Sequence, residues 1–131
     1  MTSDYGIRKD PSGSYDEVLA ALPEALKAEG FGILTEIDMQ STLKAKLGVD
    51  FRRYRILGAC NPPFAHRALS AELEVGLMLP CNVIVYEGDD GRPVVVAVDP
   101  TKTVATTNNP VLVELAQQVK ERLGRALSSL P

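Results

Sequence analysis

The residues whose chemistry stands out in this chain centre on two short, similar segments. Leu57-Gly58-Ala59-Cys60-Asn61-Pro62 and Met78-Leu79-Pro80-Cys81-Asn82-Val83 each place a Cys-Asn dipeptide beside a proline at the edge of an apolar run, and together they hold both cysteines of the chain. A thiol is a nucleophile, a redox group or a soft metal ligand once it is deprotonated. Cys60 precedes a helix start, where unpaired N–H groups and the helix dipole favour a thiolate, so it is the candidate nucleophile. Cys81 enters an apolar strand and reads as a core position. His66 lies six residues after Cys60. A cysteine with a nearby histidine can form a nucleophile–base pair or supply two metal ligands, although this spacing matches no standard zinc motif. One histidine and two cysteines leave a closed zinc site short of a ligand unless Asp38, Glu36 or a second subunit contributes one.

Other candidates follow from spacing. Glu36 and Asp38 are two residues apart at a strand end and project to one side, so they can do acid–base work or hold a metal. Asp38 equally suits a helix cap and Glu36 an exposed strand position. Asn61 and Asn82 offer amides to a ligand and also suit cap and turn positions. The polar stretch from Thr101 to Asn109 reads as a lid, a partner surface or a solvated connection.

The elements that position these residues are legible from hydrophobic periodicity and punctuation. A short strand over Tyr5–Arg8 ends at Asp10-Pro11-Ser12-Gly13. Ser14 and Glu17 form a capping box, after which Tyr15, Val18, Leu19, Leu22 and Leu26 recur at helical spacing. Pro23 predicts a kink there or a helix in two pieces, and Gly30 predicts its end. Phe31–Ile37 reads as a strand. Asp38 then caps a helix carrying Met39, Leu43 and Leu47, closed at Gly48.

Tyr54–Ala59 is the next strand, running into Cys60, and Asn61 stands at an N-cap position with Pro62 at the first helical residue. Cys81–Tyr86 and Pro93–Val98 flank a Gly88-Asp89-Asp90-Gly91 turn and read as a hairpin. The second of these runs is apolar on both faces, as a central strand requires. Asn109-Pro110 opens a last helix with one apolar stripe from Val111 to Leu127. This order predicts a single α+β domain over residues 1–131, with a mixed sheet of about five strands and helices packed on it.

Composition narrows the function classes. The 131 residues carry a formal net charge of -3, with 45% hydrophobic and 24% charged residues, an ordinary globular balance. Arg52, Arg53 and Arg55 are the densest basic cluster, interleaved with Tyr54, and read as a solvated strand face. No basic face is available for nucleic acid. No apolar run reaches the ~18 residues of a membrane span, and no signal peptide opens the sequence, so a cytoplasmic location with reduced thiols is expected. Glycine-rich phosphate loops, a nucleophile elbow and Cys-x-x-Cys are all absent.

Three stretches carry a family likeness: Gly30-Phe31-Gly32-Ile33-Leu34-Thr35-Glu36-Ile37-Asp38, Ile56-Leu57-Gly58-Ala59-Cys60-Asn61-Pro62 and Leu79-Pro80-Cys81-Asn82-Val83. In these, and in their order, the chain resembles the bacterial and archaeal family numbered three hundred and two among the domains of unknown function. The resemblance implies a compact α+β domain, a homodimer, and no established activity or cofactor. Two expectations stand side by side. One is a non-catalytic domain that binds a small ligand, a metal ion or a partner at Cys60, Asn61, Cys81, Asn82, Glu36 and Asp38. The other is a thiol-dependent enzyme or redox protein using Cys60, with His66 or a ligand-bound group assisting.

Overall fold

The computed structural model describes residues 3–131. Five strands, β1 (Gly6–Lys9), β2 (Gly32–Asp38), β3 (Tyr54–Cys60), β4 (Cys81–Glu87) and β5 (Pro93–Val98), form one sheet in the order β1-β5-β4-β3-β2. Three α-helices, α1 (Tyr15–Ala28), α2 (Met39–Leu47) and α3 (Pro62–Ala71), lie in the connections and a fourth, α4 (Pro110–Ser128), follows the last strand, with short 3-10 segments at Leu73–Met78, Pro100–Lys102 and Val104–Thr107. The α+β class and the count of five strands are as the sequence predicts. The sheet is not mixed, however: every neighbouring pair is antiparallel. A helix between two strands suggests a parallel crossover, but α2 and α3 each return the chain to the end of the sheet from which it left, acting as broad hairpin connections. β1 and β2, joined through α1, lie at opposite edges.

One face of the sheet carries the core. Leu57, Val83 and Ala97 stand in register across β3, β4 and β5, with Ile7 beyond them on β1. Against this row pack Val18, Leu22 and Leu26 of α1 and Leu123, Ala126 and Leu127 of α4, all buried. Full burial of each such aliphatic side chain contributes roughly 1.5–3 kcal/mol relative to exposure. Tyr15 ties α1 to the sheet by donating its hydroxyl hydrogen bond to the Val85 carbonyl at 3.1 Å. The capping box is complete: Ser14 Oγ accepts from Glu17 N, and Glu17 Oε1 accepts from Ser14 N. Pro23 sits inside α1 without dividing it. A proline removes one backbone donor and crowds one carbonyl; the buried stripe on either side of it, Leu22 and Leu26, keeps both halves docked on the same face.

Each of the three arginines is paired with a carboxylate. Arg52 pairs with Asp89, and Arg53 pairs with Asp16 while lying 4.0 Å over the Tyr15 ring. Arg55 reaches Glu36 and Asp38 across the β2–β3 pair. The opposite face of the sheet bears a second apolar row, Ile37, Ile56, Ile84 and Val96, beside a stacked Tyr54–Tyr86 pair with ring centroids 5.6 Å apart.

Candidate functional site

The two Cys-Asn segments meet at one end of the sheet because β3 and β4 pair with Ala59 opposite Cys81. Beyond them the chain opens a cleft of about 280 Å³. Ala59 and Cys81 line it at the strand ends, Phe64, Ala65 and Ala68 line it from α3, and Leu115, Ala116 and Val119 line it from α4. It lies at the seam of two packed clusters, the sheet core and a smaller one of Ala68, Val75, Val104, Leu112, Leu115 and Ala116. Among the described residues no charged side chain lines the cleft; the polar residues of its lining are Cys60, Asn61 and Cys81.

The candidate residues divide sharply. Cys60, Asn61 and Cys81 line the cleft. Asn82 follows Cys81 by one residue in a strand, so it points to the other face and is exposed. Glu36 and Asp38 sit farther along β2, roughly 13 Å and more from its Gly32 end at about 3.3 Å per residue. They are occupied there: both pair with Arg55, and Asp38 caps α2 by accepting from Ser41 N at 3.0 Å. His66 is exposed on α3 and lies outside the cleft lining. A helix turns about 100° per residue, which carries His66 away from the stripe on which Ala65 and Ala68 face inwards. Among the described residues no group of three or more His, Cys, Asp or Glu side chains converges as a metal cage.

Asn61 occupies the N-cap position of α3 but makes no side-chain cap bond. Its amide is buried and donates instead to the Glu29 carbonyl at 3.4 Å, a carbonyl that also accepts from Arg122 Nη1 at 3.1 Å. Asn61 and α4 thus share the C-terminal end of α1. Gly30, in the left-handed region at φ 89°, permits this: a Cβ there would stand 2.9 Å from the Asn61 amide nitrogen.

Burial in apolar surroundings, with a smaller contribution from the nearby Cys60, pushes the Cys81 thiol up to about 11. At neutral pH its thiolate fraction is then on the order of one in ten thousand. Cys60 is partly exposed where Cys81 is buried. Iodoacetamide at pH 7.5 is therefore expected to label Cys60 and to leave Cys81 unmodified until the chain unfolds. Peptide mass mapping checks this, and equal labelling of both in the native protein would contradict the buried position of Cys81.

The stretch after β5 is a packed wall. Pro100 and Val104 line the cleft, and Val104 is buried in the smaller cluster. Its hydroxyls are spent locally: Thr107 Oγ1 donates to the Val104 carbonyl, and Thr101 donates both its N–H and its hydroxyl to Asp99 Oδ1. Asp99 also pairs with Lys120 at 2.9 Å. Burial opposes ionisation of Asp99, but the bonds from Thr101 and Lys120 outweigh it and hold its carboxyl below the usual range.

A depressed folded pKa adds stability that is present above the unfolded value of about 3.9 and is lost as pH falls through the lower folded value. Asp99→Asn is expected to cost about 2 kcal/mol at pH 7. The gap to the unsubstituted protein should stay constant down to pH 5 and close below pH 4. Urea unfolding at successive pH values measures it, and a gap that widens on acidification would reverse the assignment.

A five-stranded antiparallel sheet with α1 and α4 packed on one face and an apolar cleft at its Cys-Asn end defines an α+β domain. The chain belongs to the family described as "Domain of unknown function DUF302", whose model matches residues 7–130. It is similar to the crystal structure of an uncharacterized conserved DUF302 protein from Bacillus stearothermophilus, with 35% sequence identity and a TM-score of 0.90, over 98% of this chain and 100% of that one. No curated protein matches the chain.

Proposed function

We propose that the protein is a non-catalytic, homodimeric domain that holds a small apolar ligand in the cleft beside Cys60 and Asn61. The observation that carries this reading is the cleft itself, about 280 Å³ with no charged lining among the described residues. Stripping an ion of water without a partner costs several kcal/mol, so such a cavity selects uncharged matter. A binding role is favoured over thiol catalysis because His66, the base that Cys60 would need, is turned to solvent. Small-ligand binding is favoured over metal binding because only two of the cleft's side chains are strong metal donors. Two free thiols suit a reducing compartment such as the cytoplasm, and among the described residues no helix is long and apolar enough to cross a membrane.

Dimerisation is supported by the open face of the sheet. The helix α2 buries none of its side chains, and Ile37, Leu47, Val49 and Phe51 around it are exposed. A nine-residue helix is marginal in water without packing. Aliphatic rows with stacked tyrosines are the composition of an interface core, and a second copy of this chain laid on Ile56 and Ile84 would cover both features.

Uptake of N-phenyl-1-naphthylamine, an uncharged apolar dye, tests the cleft. The protein is expected to bind one dye per chain with a rise in fluorescence. Ala65→Trp, which fills the cleft from α3, should weaken uptake at least tenfold with an unchanged melting temperature. Undiminished uptake by that variant would overturn the reading. Light scattering is expected to give twice the 14.1 kDa chain mass, and Ile84→Glu the single mass.

A further inference from the structure

The cleft does not end at its mouth. The segment Leu73–Met78 packs inwards through Val75, which is buried, and contributes Gly76 to the cleft lining. Its other apolar side chains face out: Leu73 is 85% and Leu77 88% exposed, with Met78 40% exposed beside them. Two cleft-lining residues are themselves large, exposed hydrophobics, Leu34 on β2 and Leu69 on α3. Leu34 is displaced to this position by an irregularity in the β2–β3 register between Ile33 and Thr35. Leu69 stands beside the cleft-lining Gly76, 3.8 Å from where a Cβ there would lie, and the exposed Leu77 follows Gly76 directly, so Leu73 and Leu77 form a lip flanking the segment that closes this side of the cleft. Singly exposed leucines need no explanation, but a contiguous group at the edge of an apolar cavity marks a binding surface.

We infer that the ligand is a straight aliphatic chain, lying partly in the cleft and partly across the leucine lip, with any charged or polar end outside. This deepens the cleft reading above and rests on it. The small side chains Ala65, Ala68 and Gly76 leave the interior void. A Cβ added at Gly76 would meet Leu69 only at ordinary contact distance, 3.8 Å, so the void is not forced by backbone crowding there. The interior offers no partner for a charge, so an ionised head group stays in water. The lip extends what the interior offers: a ligand longer than the cleft would cover Leu73 and Leu77, the two most exposed leucines among the described residues.

The test is displacement of N-phenyl-1-naphthylamine by 1-alkanols from hexanol to dodecanol, in the unsubstituted protein and in the double variant L73S/L77S. Each buried methylene should tighten binding about fourfold. The double variant should bind hexanol as the unsubstituted protein does and lose at least tenfold for dodecanol. Both substituted residues are solvent-facing, so the melting temperature should hold. If the dye itself is not taken up, or Ala65→Trp takes it up equally well, the cleft reading fails and the inference with it. If the dye binds and Ala65→Trp blocks it, but alkanol affinity is independent of chain length, the inference alone fails. If L73S/L77S turns a dimer into a monomer and leaves dodecanol binding unchanged, the lip belongs to a second copy of the chain and the inference is overturned.

Discussion

Leu123→Ala is expected to destabilise the protein by about 3–4 kcal/mol, the upper part of the range for a leucine truncated in a rigid core. Leu123 is fully buried on α4, in one cluster with Leu22 and Leu26 of α1 and with Val83 and Val95 of the sheet. The lost side chain leaves a hole walled on one side by two interior strands, β4 and β5, which are fixed by hydrogen bonds on both edges. Such a wall cannot close inwards, so the cavity persists and its cost adds to the lost transfer free energy. Against a total stability of 5–15 kcal/mol this is a large fraction, corresponding to a fall in Tm of roughly 10–15 °C for a domain of this size. Urea unfolding should show a lower midpoint with an unchanged slope. A loss below about 1 kcal/mol would mean that α4 is free to re-dock on the sheet.

Gly58→Val is expected to cost about 3 kcal/mol by the opposite mechanism, overpacking. Gly58 sits between Thr35 on β2 and Asn82 on β4. A Cβ there would stand 2.6 Å from the Pro80 Cγ and closer still to the Thr35 hydroxyl. The threonine can rotate, but a proline ring has no rotamer to escape to, so β3 itself must shift. Because Ala59 and Cys60 follow directly and line the cleft, dye uptake should weaken along with stability. Gly32→Ala is the control: nothing lies within 4 Å of the Cβ it would add, and its effect should stay within about 0.5 kcal/mol. Equal losses at both positions would show that strand propensity, and not the Pro80 contact, sets the cost.

What the sequence disclosed follows from how local each signal is. The capping box at Ser14, the glycine-bounded turn between β4 and β5, and the apolar stripe of α4 are written within a few residues, and each appears as expected, except that the stripe begins at Leu112 and leaves Val111 exposed. The first strand lies one residue later than the pattern places it, at Gly6–Lys9. Asn61 has the residue type and neighbours of a helix cap, yet its amide serves a carbonyl 32 residues upstream. Nothing nearby in the chain could signal that choice.

Asn82 shares its dipeptide context with Asn61 and falls on the opposite side of the sheet, because strand alternation outranks motif likeness. The Thr-rich stretch after Pro100 looks solvated because its hydroxyls are counted as free, whereas they bond to their own backbone and let Val104 turn inwards. The cleft was the least legible feature. Its walls come from segments spread between Phe31 and Val119, and no periodicity spans that distance.

The strand order has a consequence for the time course of folding. The three central strands follow one another in the chain, so β3, β4 and β5 can assemble through nearby contacts as soon as they exist. The first strand cannot: its only neighbour in the sheet is β5, with Gly6 opposite Val98. Closing so long a loop is slow relative to a local turn. During synthesis β1 therefore waits for nearly the whole sheet to emerge, and until it docks, β5 presents an unpaired edge of Val95, Val96, Ala97 and Val98. A strand made before its partner must wait for it, and the polypeptide passes through a stage in which the valine-rich edge of β5 is open to other molecules.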